Sequence, residues 1–172
     1  MHSIFRQSFK IHQQQISDNY TTNIQILAGR GLNPRSIAYQ ISGSNTAWTN
    51  RNRFNIRKVS LGQATVKYPN YVMLSRVKKL IRGKILKKDV ETEFAEVRTK
   101  LKLIINEIRL NGYSFIEIMY AIAPEENSEW CVNHVQTIRN MHDGKINRIS
   151  YIYVNRLQTC IKYQRGENPL WK

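Results

Sequence analysis

The sequence predicts a mainly α-helical protein. An N-terminal helix-turn-helix, with a short β-hairpin offered as its wing, is followed by a C-terminal helical bundle. Apolar residues recur at three- and four-residue intervals through most long segments, the signature of helices with one buried face. Asn, Ser, Gly and Pro stand where those helices would begin and end. Residues 1–88 hold 16 of the 27 Lys and Arg and a single acid, Asp18, so this half carries the whole net charge of +15. Residues 89–172 hold 11 basic and 11 acidic residues and sum to zero. So one-sided a field points to a polyanionic partner. It divides the chain into a basic nucleic-acid-binding region, 1–88, and a neutral helical region, 89–172.

The first seventeen residues contain Arg6 and Lys10 and no acid. They are compatible with a mitochondrial presequence and a matrix location, but packing of Ile4, Phe5, Phe9 and Ile16 as a first helix is the favoured reading. Residues 22–29 continue with an apolar helical segment, Ile24, Ile26, Leu27 and Ala28, ended by Gly29 or Gly31. Asn33 is placed to cap a helix that has Pro34 at its first position, a combination that satisfies free N–H groups where Pro has none to offer. That helix puts Ile37, Ala38 and Ile41 on one face, and Gly43 stops it. Ser44 or Asn45 then caps a third helix, TAWTNRNRF. The layout over about 22–53 is that of a helix-turn-helix. Its third helix is expected to turn Thr46, Thr49, Asn50, Arg51 and Arg53 outward as base contacts, because Asn and Arg match adenine and guanine edges in the major groove. The blander reading is a helical corner with solvated polar residues.

Residues 54–68 alternate weakly around Leu61-Gly62-Gln63, which predicts the hairpin wing, with Arg57, Lys58 and Lys67 toward phosphate. Residues 70–88 predict one helix, burying Val72, Met73, Val77, Leu80 and Ile81. Its surface carries Arg76, Lys78, Lys79, Arg82, Lys84, Lys87 and Lys88. Seven cations without a carboxylate repel one another, so with Arg35 they are assigned to phosphate contact.

Beyond residue 88 the pattern is of core helices. Residues 89–112 place acids early and cations late, as the helix dipole favours, pair Glu96 with Lys100, and bury Phe94, Val97, Leu101, Ile104, Ile105 and Ile108. Ser114 and Glu117 form a capping box for SFIEIMYAIA. NSEWCVNHVQTIRNM stops at His142-Asp143-Gly144, and the last helix buries Ile149, Ile152, Tyr153, Leu157, Cys160 and Ile161. No internal repeat is evident. Residues 89–164 are assigned to a homodimer or protein-partner contact using Trp130, Tyr151, Tyr153 or Trp171, since aromatics are enriched at interface centres.

Catalytic or metal-binding patterns are missing from the sequence. Its four histidines have no ligand spacing, and His134 is read as a helix contact of Trp130. Asp89 and Glu93 share a helix face, but a first-turn position already accounts for them. Phosphate-loop and dinucleotide signatures do not occur. The expectation is therefore a non-enzymatic protein with no cofactor and no metal. Cys131 and Cys160 are read as buried thiols in a reducing, cytoplasmic and nucleoid-associated setting. No apolar run approaches a membrane span, so no membrane partner is expected.

GLNPRSIAYQISGSNT resembles the helix-turn-helix of small prokaryotic regulators, with Leu32, Ile37, Ala38 and Gly43 at its structural positions. It is similar to FlhC-type flagellar or mobile-element activators, whose cysteine zinc cluster this chain lacks. NGYSFIEIMYAI resembles parts of phage replication-initiator domains. The +15 half together with the 33–53 pattern leads to the expectation of a sequence-specific double-stranded-DNA-binding protein, a transcriptional regulator of a mobile or phage-like element. The alternative is an RNA-binding structural protein, such as a ribosomal or organellar ribosomal component, stacking bases on Tyr39, Trp48, Tyr68 and Tyr71. A replication initiator or helicase loader is the third reading.

Overall fold

The computed structural model describes residues 4–167, which contain eight helices and no β-strand. They are α1 (Phe9–Gly29), α2 (Pro34–Ser42), α3 (Thr46–Ser60), α4 (Tyr71–Ile81), α5 (Val90–Leu110), α6 (Phe115–Ile122), α7 (Ser128–His142) and α8 (Tyr151–Gln164). The mainly α class is as the periodicity predicts. The hairpin wing is not formed: Phe54–Ser60 are the closing turns of α3. Trp48, Asn52, Ile56 and Val59 recur at helical spacing, and burial of Trp48, Ile56 and Val59 outweighs the two short alternations. Residues 61–69 are irregular and tied to α1, where the Ser17 hydroxyl donates to the Val66 carbonyl at 2.7 Å and Gln13 donates to the Lys67 carbonyl.

Two other boundaries and one ion pair differ from expectation. The first two helical segments are one helix, α1, and Ile4 and Phe5 precede it. Helix α4 stops at Ile81, where Gly83 takes φ +79°, so Lys84, Lys87 and Lys88 lie on an irregular segment. Glu96 pairs with Lys88, not Lys100. The capping box at Ser114 and Glu117, the end of α7 and the buried face of α8 are as expected.

Packing separates two units, Gln13–Glu96 and Met1–His12 with Val97–Lys172. The charge pattern breaks at 88/89; the packing instead divides inside α1 and inside α5.

The Gln13–Glu96 unit closes on one buried guanidinium. Arg76 is 2% exposed and donates to the carbonyls of Ile41 and Lys88 and to the Glu93 carboxylate at 2.8 Å. It thereby joins the end of α2, the residue before the Asp89 turn and the first turn of α5. Asp89 accepts the Glu91 N–H, opening α5, and also the Asn45 amide, which ties α5 to the start of α3. Ile24, Leu27, Ile37, Ile41, Leu74 and Val77 are buried in this unit. Each contributes about 1.5–3 kcal/mol by leaving water.

The other unit follows the same plan. Arg156, also fully buried, donates to the carbonyls of Ile122 and Gln7 at 2.7 and 2.8 Å and to His12 Nδ1 at 3.2 Å. Ile122 ends α6, Gln7 precedes the Ser8 turn that opens α1, and His12 lies in the first turn of α1. Each arginine thus reads the same three places, and each helix start is donated by a helix that continues into the other unit. Phe9 matches Val90 as the buried first residue of the helix. Further pairs lie 80 to 82 residues apart: Ile24 with Ile105, Ile37 with Ile118, Ile41 with Ile122, Trp48 with Trp130, Ile56 with Ile138, and Arg76 with Arg156. The caps correspond as well, Asn33 to Ser114 and Asn45 to Asn127. The two units thus repeat one order of helices, caps and buried arginine.

The two arginines differ in their partners. Arg76 bonds the Glu93 carboxylate, whereas Arg156 bonds His12 and lies against the rings of Phe5 and Phe9, 4.0 and 5.4 Å from its guanidinium carbon, with the Glu125 carboxylate acting on it electrostatically. Burial, and then the Arg156 charge, lower the His12 pKa to about 4. Arg156 itself is pulled down to about 10 by burial, so it remains charged at neutral pH. His12 must stay neutral to accept from Arg156. In the unfolded chain it titrates near 6.5, so the unfolded state binds more protons between pH 6.5 and 4, and stability falls as pH falls through that window. Thermal melts of wild type are expected to lose stability from pH 7 to 5. In His12→Gln that loss is expected to shrink; a slope unchanged by the substitution would contradict the assignment.

Gly43 ends α2 in the left-handed region at φ +67°. A Cβ there would run into the Lys88 carbonyl and the Arg76 guanidinium. Gly144 ends α7 with φ +70° and has open space around it. Gly43→Ala combines a left-handed alanine, about 1–2 kcal/mol, with displacement of the Arg76 cluster. It is expected to lower unfolding free energy by about 3 kcal/mol or more in urea titration, and Gly144→Ala by about 1 kcal/mol. Equal effects would show that the close approach at Lys88 does not matter.

Candidate nucleic-acid interface

Helix α2 ends in a turn whose geometry fixes α3. The Gly43 and Ser44 N–H groups return to the Gln40 and Tyr39 carbonyls, and both residues have positive φ, the closure that satisfies the last carbonyls of a helix. Asn45 then caps α3 by accepting the Trp48 N–H at 2.9 Å. Trp48, Thr49, Ile56 and Val59 face inward. The opposite face presents Thr46, Asn50, Phe54 and Arg57, with Ala47, Arg51, Asn55 and Lys58 alongside. There is no acid in α3, and Arg57 and Lys58 sit in its last turn, where cations suit the dipole.

Of the residues expected to read bases, Thr46, Asn50 and Arg51 are exposed. Thr49 is fully buried, and its hydroxyl donates to the Asn45 carbonyl at 2.7 Å. It stands one position past Trp48, on the inward side of the helix. Arg53 is half-buried with its guanidinium 4.8 Å from the Phe54 ring centroid. Arg51 pairs with Glu91 at 2.7 Å, both side chains more than half exposed, a bond worth under about 1 kcal/mol and easily exchanged. Phe54, 57% exposed, was not expected on this face, because the hairpin reading took it for a strand.

Among the phosphate candidates, Arg76 is removed from the surface by its role in the core. Lys88 is held by Glu96. Arg35, Arg57, Lys58, Lys67, Lys79, Arg82, Lys84 and Lys87 are exposed, and Lys78 is half-exposed. Their placement is not a single helix face. Arg30, which is not among the residues assigned to phosphate, donates to the Ile81 carbonyl at 3.0 Å, bringing the end of α1 to the end of α4. From there the segment 82–88 runs to Gly43, against which the Lys88 carbonyl rests. Arg30, Arg82, Lys84 and Lys87 therefore accompany α2 from its start toward its end. Lys67 lies near Gln13, at the far end of α1 from Arg30. With 1.5 Å rise per residue the two are about 25 Å apart.

Counted by packing unit the charge is less one-sided than by halves. Gln13–Glu96 carries 14 basic and five acidic residues, a net +9, and the other unit 13 and seven, a net +6. The acids 89–96, which make the C-terminal half neutral, belong to the first unit. Asp89, Glu91, Glu93 and Glu96 are all engaged there by Asn45, Arg51, Arg76 and Lys88.

The aromatics offered for stacking are divided. Tyr39 and Tyr68 are exposed, Tyr71 is half-buried, and Trp48 is buried. Of those assigned to a partner contact, Tyr153 is buried under Phe9, with ring centroids 5.6 Å apart. Trp130 stacks on His134 at 4.0 Å, as its spacing suggested, and Tyr151 is half-buried. Trp171 lies outside the described residues. Both cysteines are buried and free, and burial pushes the Cys160 thiol up to about 12. Among the described residues no group of three His, Cys, Asp or Glu could hold a metal ion, and no helix is long and apolar enough to cross a membrane.

A scan against protein-family models gives no match, and searches of curated proteins and of solved structures return none.

Proposed function

We propose that the Gln13–Glu96 unit is a helix-turn-helix module that binds double-stranded DNA sequence-specifically, and that the chain regulates transcription of a mobile or phage-like element. The observation that carries this reading is the outward face of α3. A left-handed turn and an Asn45 cap fix a helix of 15 residues that shows Thr46, Asn50, Phe54 and Arg57 and no carboxylate of its own.

That face suits a major groove. Asn50 matches the N6 and N7 edge of adenine, Arg51 or Arg53 the O6 and N7 edge of guanine, and Phe54 the thymine methyl. Arg35, Arg57, Lys58, Lys79, Arg82, Lys84 and Lys87 supply charge for the backbone. Such contacts position the helix without reading sequence.

Neutralising about six phosphates gives a slope near −5 in log affinity against log salt. Fluorescence anisotropy with selected and scrambled duplexes between 50 and 200 mM salt tests this. Asn50→Ala is expected to reduce discrimination between the two duplexes by about 5- to 100-fold. Lys84→Ala is expected to weaken both about equally and to flatten the slope by about one. No duplex binding at the lowest salt, or preferential capture of single-stranded RNA, would contradict the reading.

A further inference from the structure

In the repeated order of helices, α7 takes in its own unit the place that α3 takes in the first. Both are 15-residue helices, capped by Asn127 and Asn45 through the same bond to a Trp N–H at 2.9 Å. Cys131 is buried as Thr49 is. With the caps aligned, Ser128, Val132, Asn133 and Gln136 stand where Thr46, Asn50, Arg51 and Phe54 stand, and all four are exposed. Arg139 takes the place of Arg57 and is likewise exposed.

We infer that α7 is a second base-reading helix, so that one chain reads two segments of the same duplex. This rests on the DNA-binding reading of α3.

The chemistry of the second face differs from the first in a definite direction. Asn133 and Gln136 are amides, which pair with adenine, and Val132, 59% exposed, suits a thymine methyl. Arginine is absent from the two positions, so the second segment is biased toward A·T pairs. Gln136 donates to Asn140 at 2.9 Å, an exposed contact that a base edge replaces.

Carboxylates in this unit are mostly committed elsewhere. Glu125 accepts the Phe9 N–H, Glu126 faces Lys10 at 3.8 Å, Glu107 is held by Arg165, and Glu117 closes the capping box. Glu129 is the one carboxylate on the outward face, and a carboxylate there accepts from the cytosine amino group. Arg109, Arg139, Lys145 and Arg148 are exposed for phosphate. The first two gather over the Phe115 ring, at 4.2 and 5.3 Å.

The test uses the full chain on a duplex selected from a random library, with hydroxyl-radical footprinting, methylation interference and native mass spectrometry. Two separate protected segments are expected on a duplex carrying one chain. Asn133→Ala with Gln136→Ala should reduce base discrimination at least fivefold in one segment only, and Asn50→Ala in the other only. Circular dichroism confirms that these exposed substitutions leave the fold intact. A single protected segment, two segments that require two chains, or a second segment indifferent to the Asn133 and Gln136 substitutions would overturn the inference and leave the α3 reading standing. Failure to select any sequence would overturn the α3 reading itself.

Discussion

A guanidinium taken out of water must find acceptors for its donors, and in each unit this requirement fixes the arrangement of the helices. Desolvating an arginine costs several kcal/mol, and each charge-assisted bond returns about 1.5–3. Three bonds roughly balance that cost, so the arginine adds little net stability. Its effect is on geometry. Arg76 is satisfied only if the end of α2, the residue before Asp89 and the first turn of α5 meet at one point. Arg156 imposes the same condition on Ile122, Gln7 and His12. Loss of any one partner leaves a donor of the buried charge unsatisfied, at a cost of about 1–3 kcal/mol or more.

The position of α3 follows from that closure. The carbonyl of Ile41 is held by Arg76, Gly43 rests against Lys88, and Asn45 donates to Asp89 at 2.9 Å. The turn between α2 and α3 is therefore gripped from the α5 side, and its outward residues stand on a rigid support. Such rigidity is what the proposed base-reading role of α3 requires, since a bidentate contact to a base edge tolerates little play. The cost falls on the cations, because Arg76, which looked like part of a basic face, is spent in the core.

Most of the helices were legible in the sequence because caps and apolar spacing agree. Asn33 with Pro34, Ser114 with Glu117, and the Ile149 to Ile161 series each name their element without help from the rest of the chain. The hairpin was misread because Phe54 and Ile56 alternate for only a few residues, while the longer series from Trp48 to Val59 decides. Arg76 was misread because nothing local distinguishes a buried arginine among seven neighbouring cations. Only its partners, 12 to 35 residues away, do so. The repeated plan does leave a trace in the sequence: Ile-x-Tyr-x-Ile at 37–41 and 118–122, Asn-x-x-Trp at 45–48 and 127–130, and Tyr-x-x-x-x-Arg at 71–76 and 151–156. It is thin because the shared residues are a few core and cap positions, with Tyr39 and Tyr120 the exposed exceptions, and most of the remaining positions differ.

If each unit is closed by the helix start that meets its arginine, the dependence can be measured on fragments. Residues 13–96 contain their own helix start and are expected to unfold cooperatively alone by circular dichroism. Residues 97–167 lack Gln7, Phe9 and His12, and are expected to fold cooperatively only when a peptide of residues 4–12 is supplied. With Arg156→Met the peptide should have no effect. Cooperative unfolding of 97–167 without the peptide, or rescue that survives Arg156→Met, would contradict closure on the buried arginine.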